Sequence, residues 1–182
     1  MPSRRLIFPI TFASPSPMSR IAVLILAVAL LLSGCGIYSF TGASIQGKTI
    51  NIHVLENRAR YITPTLTATM TEKIRSRILS QTGLAPVNGD AADYDVSGAI
   101  TAYETTVTGV QNTQQASQNR LTITLAISFK NRLDKKADFS QSFTRFADYP
   151  ASQTLQAVEG TLIDQIGTEL ADDIFNKAFV NW

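Results

Sequence analysis

The 182-residue chain is poor in the side chains that most often build reactive sites, with one cysteine, Cys35, and one histidine, His53. A lone thiol cannot close an internal disulfide, so the fold must be held by its core. No acidic residue precedes Glu56, and no apolar run exceeds the twelve positions 21–32. At about 1.5 Å per residue, a helix of that length covers about 18 Å, well short of a roughly 30 Å hydrocarbon core, so it does not span a membrane. Charged residues make up only 16% of the chain and are balanced, 16 basic against 14 acidic, while 45% of residues are hydrophobic. That composition excludes a disordered chain, and the length fits one globular domain rather than a two-domain enzyme.

The same scarcity runs through the chemistry. The glycine-rich stretch GLAPVNGD, residues 83–90, lacks the lysine and the following helix of a phosphate loop. Asp90, Asp93 and Asp95 are closely spaced, but neither a glutamate nor a loop glycine stands where a calcium loop needs it, so they read as turn residues. His53 falls on the polar side of an alternating segment with no cysteine or carboxylate pair beside it, and reads as solvated. No catalytic residue, metal site or cofactor is therefore assigned. Arg4, Arg5 and Arg20 all precede residue 35, leaving 13 basic and 14 acidic side chains beyond it. A near-neutral remainder offers no field for nucleic acid, whose recognition rests on dense neutralisation of phosphates.

What is present is an address. Arg20, the apolar run 21–32 and then Leu32-Ser33-Gly34-Cys35 follow one another in the order of a bacterial lipoprotein signal. The last four residues resemble a lipobox. That resemblance implies that the Cys35 thiol receives a diacylglyceryl group, that the preceding segment is cleaved, and that Cys35 becomes an acylated N-terminus. Each buried CH₂ contributes about 0.8 kcal/mol to membrane attachment, so two or three chains hold far more firmly than one. Met18-Ser19-Arg20 forms a compact n-region, which makes Met18 an alternative start and residues 1–17 an upstream extension or no part of the product. Gly36, where an inner-membrane lipoprotein would carry Asp, resembles Gram-negative lipoproteins sent to the outer membrane. The absence of an acidic run after it favours a periplasm-facing domain. Residues 1–34 thus read as signal peptide, 35–47 as a lipidated tether partly packed through Ile37, Tyr38 and Phe40, and 48–182 as one folded domain.

Within that domain, Ile50, Ile52 and Val54 alternate with Asn51 and His53, the period of a half-buried strand. Thr63-Pro64 is a helix start, Leu66, Met70, Ile74 and Ile78 form an apolar stripe, and Gly83 stands at the expected C-cap. Lys73, Arg75 and Arg77 fall in the last turns, where cations suit the helix dipole. Three strands follow. One runs from about Tyr94 to Val107, with Val96, Ile100 and Ala102 on one face and Gly98 allowing close approach. The second holds Leu121, Ile123, Leu125, Ile127 and Phe129 inward, and the third holds Phe139, Phe143 and Ala147 inward. The polar stretch TGVQNTQQASQN between the first two reads as a long loop, mobile unless a partner orders it, and NRLDKKA as a hairpin turn. Tyr149-Pro150 ends the last strand. A final helix is expected from Gln153 to Phe179, with Leu155, Val158, Leu162, Ile166, Leu170 and Ile174 in step. Gly160 and Gly167 lie seven apart in that helix and predict close approach to another backbone. Asp172-Asp173 near its C-terminal end oppose the dipole; no local role explains them, and a partner contact is one reading.

The expected fold is α+β, two helices packed on one face of a four-stranded, largely antiparallel sheet in the order β-α-β-β-β-α. The opposite sheet face, rich in Thr, Ser, Gln and Lys, is solvated or docked to another polar surface.

Three passages, CGIYSFTGASI, VSGAITAYETT and FTRFADYPASQTLQAVEGTLIDQIGTELADDIF, make everything after Cys35 resemble the lipopolysaccharide-assembly lipoprotein family (LptE-like), especially the form found in the Bacteroidetes. The resemblance implies the same two-helix, four-stranded fold and a non-enzymatic role. Its members plug a large outer-membrane β-barrel, the LptD-like lipopolysaccharide translocon, and contact lipopolysaccharide in transit. A polar sheet face suits the polar lumen of such a barrel. Spacing selects Lys130, Arg132, Lys135 and Lys136 at one sheet end, with Arg120 at the other end of the same strand, as candidate contacts to lipid A phosphates. The competing reading is a periplasmic carrier holding a small lipid or peptide between sheet and helices; an anchored hydrolase lacks a nucleophile–base pair. Phe179, Val180 and Trp182 at the C-terminus are left to pack on the first helix or to touch the barrel wall.

Overall fold

The computed structural model describes residues 45–61, 64–110 and 116–180. The signal segment, Cys35 and the tether as far as Ser44, the Thr63 cap and Trp182 lie outside the described residues. The elements are β1 Thr49–Ile52, β2 Glu56–Asn57, α1 Pro64–Thr82, β3 Ala85–Pro86, β4 Tyr94–Val110, β5 Ala116–Asn131, a 3₁₀ turn Lys135–Ala137, β6 Phe139–Pro150 and α2 Leu155–Phe175. A π-helical turn over Asn176–Val180 follows α2.

The sheet corrects the four-stranded, largely antiparallel expectation. Among the described residues it has six strands, in the order β3-β1-β4-β5-β6, with β2 also paired to β4. β4–β5 and β5–β6 are antiparallel, whereas β1–β3, β1–β4 and β2–β4 are parallel. A strand followed by a helix that returns the chain to the same sheet edge gives a parallel neighbour, and α1 is that crossover between β1 and β3. The two extra strands have two residues each, too few to show any alternation.

Two irregularities shift the phase of the inward positions. Backbone bonds from His53 N–H to Val96 O and from Arg58 N–H to Ile100 O bracket a bulge between β1 and β2. Leu55 therefore turns into the core at 3% exposure, while Val54, expected inside, stands 67% exposed. The Leu55 N–H is satisfied by the hydroxyl of Thr71 on α1, at 3.1 Å. In β4 a register shift between Ile100 and Ala102 puts Tyr103 into the core in place of Ala102.

The strands β4 and β5 also run further than their polar sequence suggests. Val107 pairs with Asn119, Gly109 with Gln118 and Val110 with Ala116, so most of the expected loop is a hairpin extension. Backbone pairing is indifferent to side-chain polarity where no face is buried, which is why composition pointed to a loop.

The core lies between the sheet and the two helices. Leu66, Met70 and Ile78 of α1 and Ile166 and Leu170 of α2 are fully buried against Ile50, Ile100, Leu121, Ile123 and Leu125. A Cβ on Gly167 would come within 3.3 Å of the Met70 Cε and Sδ, so α1 packs closely on that glycine, through the Met70 side chain rather than the backbone expected. Gly160 has nothing within 4 Å of that position, and the expected close approach there is absent. Gly98 meets the Ala126 carbonyl of β5 in the tight contact its lack of a side chain allows. Gly83 takes φ +66° and returns its N–H to Leu79 O at 3.2 Å, closing α1.

Three groups of side chains play parts other than those expected. Lys73 and Arg77 bridge to Asp164 and Asp172 of α2 at 2.5 and 2.8 Å, and Arg75 reaches Glu72 and the Ile52 carbonyl. Their work is joining α1 to its neighbours, not the helix dipole. Asp173 receives Arg145 of β6, so both members of Asp172-Asp173 are explained inside the domain. Phe179 packs edge-on to Tyr94 and Phe129, 5.4 and 5.5 Å between ring centres, beneath the sheet rather than on α1 or at a free surface. Val180 is packed against the same core.

Candidate functional site

Both helices cover one side, and among the described residues no element covers the other side of the sheet. Its residues are the small, polar alternates of the core positions. Register aligns Ser97, Ser128 and Ser140 in one row, Ala99, Ala126 and Ser142 in the next, and Ala102, Thr124 and Thr144 in a third. The Thr124 and Thr144 hydroxyls are 2.9 Å apart, so part of this hydroxyl array is internally bonded. The result is a shallow floor of short side chains between two charged ends.

At one end the expected cations are divided by the structure. Lys130 and Arg132 line a depression of about 410 Å³ together with His53, Asp90, Asp95 and Ser97. A second depression of about 400 Å³ adjoins it through His53 and Ser97 and is floored by Ala99, Ala126 and Ser128. His53 is not a bare solvated side chain, since its Nε2 lies 2.7 Å from Asp95 Oδ2 and 3.0 Å from Asn51 Nδ2. That triad depends on the parallel β1–β4 register, which sets Asn51 beside Asp95, and no sequence spacing announces it. Arg132 donates from Nη1 to the Asp90 carbonyl at 2.6 Å. Lys135 and Lys136 stand outside the depression on the exposed β5–β6 turn, and among the described residues neither has an ionic partner.

Asp93 performs the turn role expected of it. Its Oδ2 accepts from the Lys48 N–H at 2.7 Å, and from the Thr49 N–H and hydroxyl, each at 3.0 Å. Those donors hold its carboxyl below the ordinary range, with the nearby Arg132 guanidinium adding to the effect.

At the far end, Arg120 is committed. It gives two hydrogen bonds to Asp148, at 2.7 and 2.9 Å, and lies 3.6 Å over the Phe146 ring. The hydrogen bonds lower the Asp148 carboxyl and raise the Arg120 guanidinium. Of the five candidate phosphate contacts, Lys130 and Arg132 therefore share one concavity, Lys135 and Lys136 share the adjoining turn, and Arg120 is neutralised elsewhere. Among the described residues no cluster of His, Cys, Asp and Glu is arranged to hold a metal, and no helix is long and apolar enough to cross a membrane.

The fold recurs in solved structures. A protein from Xanthomonas campestris superposes with TM-score 0.53 at 13% identity, covering 76% of this chain and 87% of that one. A hypothetical protein from Chlamydia trachomatis gives TM-score 0.51 at 10% identity, covering 74% and 98%. Rare lipoprotein B from Shewanella oneidensis gives 0.48 at 13% identity, covering 70% and 91%. No curated protein sequence matches the chain. The model of the lipopolysaccharide-assembly family LptE matches residues 47–178, nearly all of the described domain. The chain therefore belongs to that family, whose members are membrane-associated lipoproteins of assembly rather than catalysis.

Proposed function

We propose that this protein is an outer-membrane lipoprotein, anchored through acylated Cys35 on the periplasmic side. It acts as plug and assembly factor of the LptD-like β-barrel that delivers lipopolysaccharide to the cell surface. The observation that carries this reading is the open sheet face: hydroxyls and methyls in flat rows, with Lys130 and Arg132 gathered at one end of it. Such a face suits contact with a polar lumen wall. Lys130 and Arg132 are the cations assigned to lipid A phosphates, bound by charge-assisted hydrogen bonds. Asp90 and Asp95 in the same depression keep the local charge low, so binding is expected to be salt-sensitive and modest.

A small-ligand carrier would need room between sheet and helices. That layer is instead filled by Met70, Ile166, Leu125 and their neighbours, all fully buried. The test is affinity capture of tagged full-length protein from detergent-solubilised outer membrane of its host. Co-purification of a large β-barrel supports the plug. Recovery of the lipoprotein without a barrel, carrying a small lipid, would replace it with the carrier. Lys130→Ala should weaken lipopolysaccharide binding at low salt while leaving the fold intact.

A further inference from the structure

The geometry points to the β5–β6 turn, Arg132 to Lys136, as a contact that seats this end of the domain on the anionic phospholipid surface to which the chain is anchored. The inference rests on the acylated Cys35 of the proposed function. It begins from where the chain enters the fold. Asp93 ties that entry to the turn: its carboxylate holds the Lys48 and Thr49 N–H groups, and its carbonyl accepts the Arg132 N–H at 2.9 Å. Only nine residues separate Cys35 from Ile45, the first described residue. A fully extended chain covers at most about 3.6 Å per residue, so the turn is confined within a few tens of ångströms of the bilayer that holds the acyl chains.

The turn has the makeup of a headgroup contact. Leu133 is a large apolar side chain left 50% exposed at its tip. Arg132 precedes it, and Lys135 and Lys136 follow, all exposed. The long side chains of Lys135 and Lys136 can reach lipid phosphates while Leu133 enters the interface. Five carboxylates, of Asp90, Asp93, Asp95, Asp134 and Asp138, share this end and temper the attraction. Three of them are turned to backbone: Asp93 as described, Asp134 to the Lys136 N–H at 3.0 Å and Asp138 to the Asn131 N–H at 2.7 Å. A weak contact suffices, because an anchored domain meets its own membrane at a high effective concentration. The opposite end, where Val107 is also exposed, lies some thirteen strand positions further along β4, and the cation described there, Arg120, is already bonded to Asp148.

The test uses the full acylated protein in vesicles of phosphatidylcholine with phosphatidylglycerol. Leu133→Cys and Val107→Cys are each labelled with an environment-sensitive fluorophore, Cys35 being blocked by its own acyl group. The label at position 133 should be quenched by lipids brominated near the headgroup, and the label at 107 should not. Adding Lys135→Glu with Lys136→Glu, or omitting phosphatidylglycerol, should cut that quenching several-fold. This control separates the contact from the apolar character of the label. Protein that floats with vesicles while the label at 133 stays in water would overturn the contact and leave the anchor standing. Protein that does not float at all would overturn both. Quenching that appears only with lipopolysaccharide would overturn the phospholipid assignment.

Discussion

The Asp173 carboxylate of α2 takes both arms of the Arg145 guanidinium of β6, at 2.6 and 2.7 Å, clasping the last helix to the outermost strand. Arg145 occupies a helix-facing position of β6, opposite buried Ile123 on β5, where an unpaired charge would be poorly placed. The side chains remain 45% and 29% exposed, which keeps the pair within the range of solvent-screened ion pairs. A double-mutant cycle of Arg145→Ala and Asp173→Ala, followed by urea unfolding, should return a coupling energy of about 0.5–1 kcal/mol, diminished by salt. A coupling of zero would mean that the Arg145–Asp173 pair adds nothing to the docking of α2 on the sheet.

The two glycines of α2 should answer oppositely to substitution. Nothing stands within 4 Å of a Cβ on Gly160, so Gly160→Ala gains helix propensity without a clash and should raise stability by about 1 kcal/mol. A Cβ on Gly167 would stand 3.3 Å from Met70, and Gly167→Val should cost about 1–3 kcal/mol through overpacking of the α1–α2 contact. Thermal unfolding of the two variants decides the matter, and equal shifts would contradict the contact.

That pair also shows what the sequence makes legible. Seven-residue spacing places both glycines on one side of a helix, but which of them meets α1 depends on where the helices cross. The long periodic elements could be read because their inward residues recur without interruption, as from Leu121 to Phe129. The bulge before Leu55 and the shift before Ala102 could not, since one inserted residue inverts every later face and leaves no mark in composition. The site divides in the same way. Its cations were visible as residues, whereas the His53–Asp95 pair and the commitment of Arg120 to Asp148 come from strand register between distant segments. The carboxylates Asp172 and Asp173 lacked an explanation for the same reason, their partners lying on α1 and β6.

Acid should loosen the start of the folded domain. The Asp93 carboxyl is held low in the folded protein by the Lys48 and Thr49 N–H groups, so its folded pKa lies below its unfolded value. Such a group stabilises fully above the unfolded pKa of about 4, and that stabilisation is lost as pH falls through the lower folded value. Asp93→Asn should lower stability near neutral pH and flatten its decline in this acid range. Urea midpoints taken from neutral to acid pH would show it, and an unchanged slope would deny Asp93 its role.

Tyr103 makes the complementary case at alkaline pH. Its ring is buried in the core position that the β4 irregularity creates, and it stacks on Tyr61 at 4.9 Å. Its hydroxyl donates to Glu159 Oε1 at 2.5 Å. Burial first, and then the bonded carboxylate, push the phenol well above its ordinary range. A folded pKa raised above the unfolded value contributes stability that is complete below about pH 10 and is lost as pH climbs beyond it. Tyr103→Phe keeps the stacking and removes the bond, so it should cost about 1–2 kcal/mol at neutral pH. The penalty should shrink as the medium approaches strong alkali, because wild-type protein then loses what the variant never had. Urea unfolding of both proteins from neutral to alkaline pH measures the gap, and a gap that stays constant would show that the hydroxyl bond plays no part in the pH dependence.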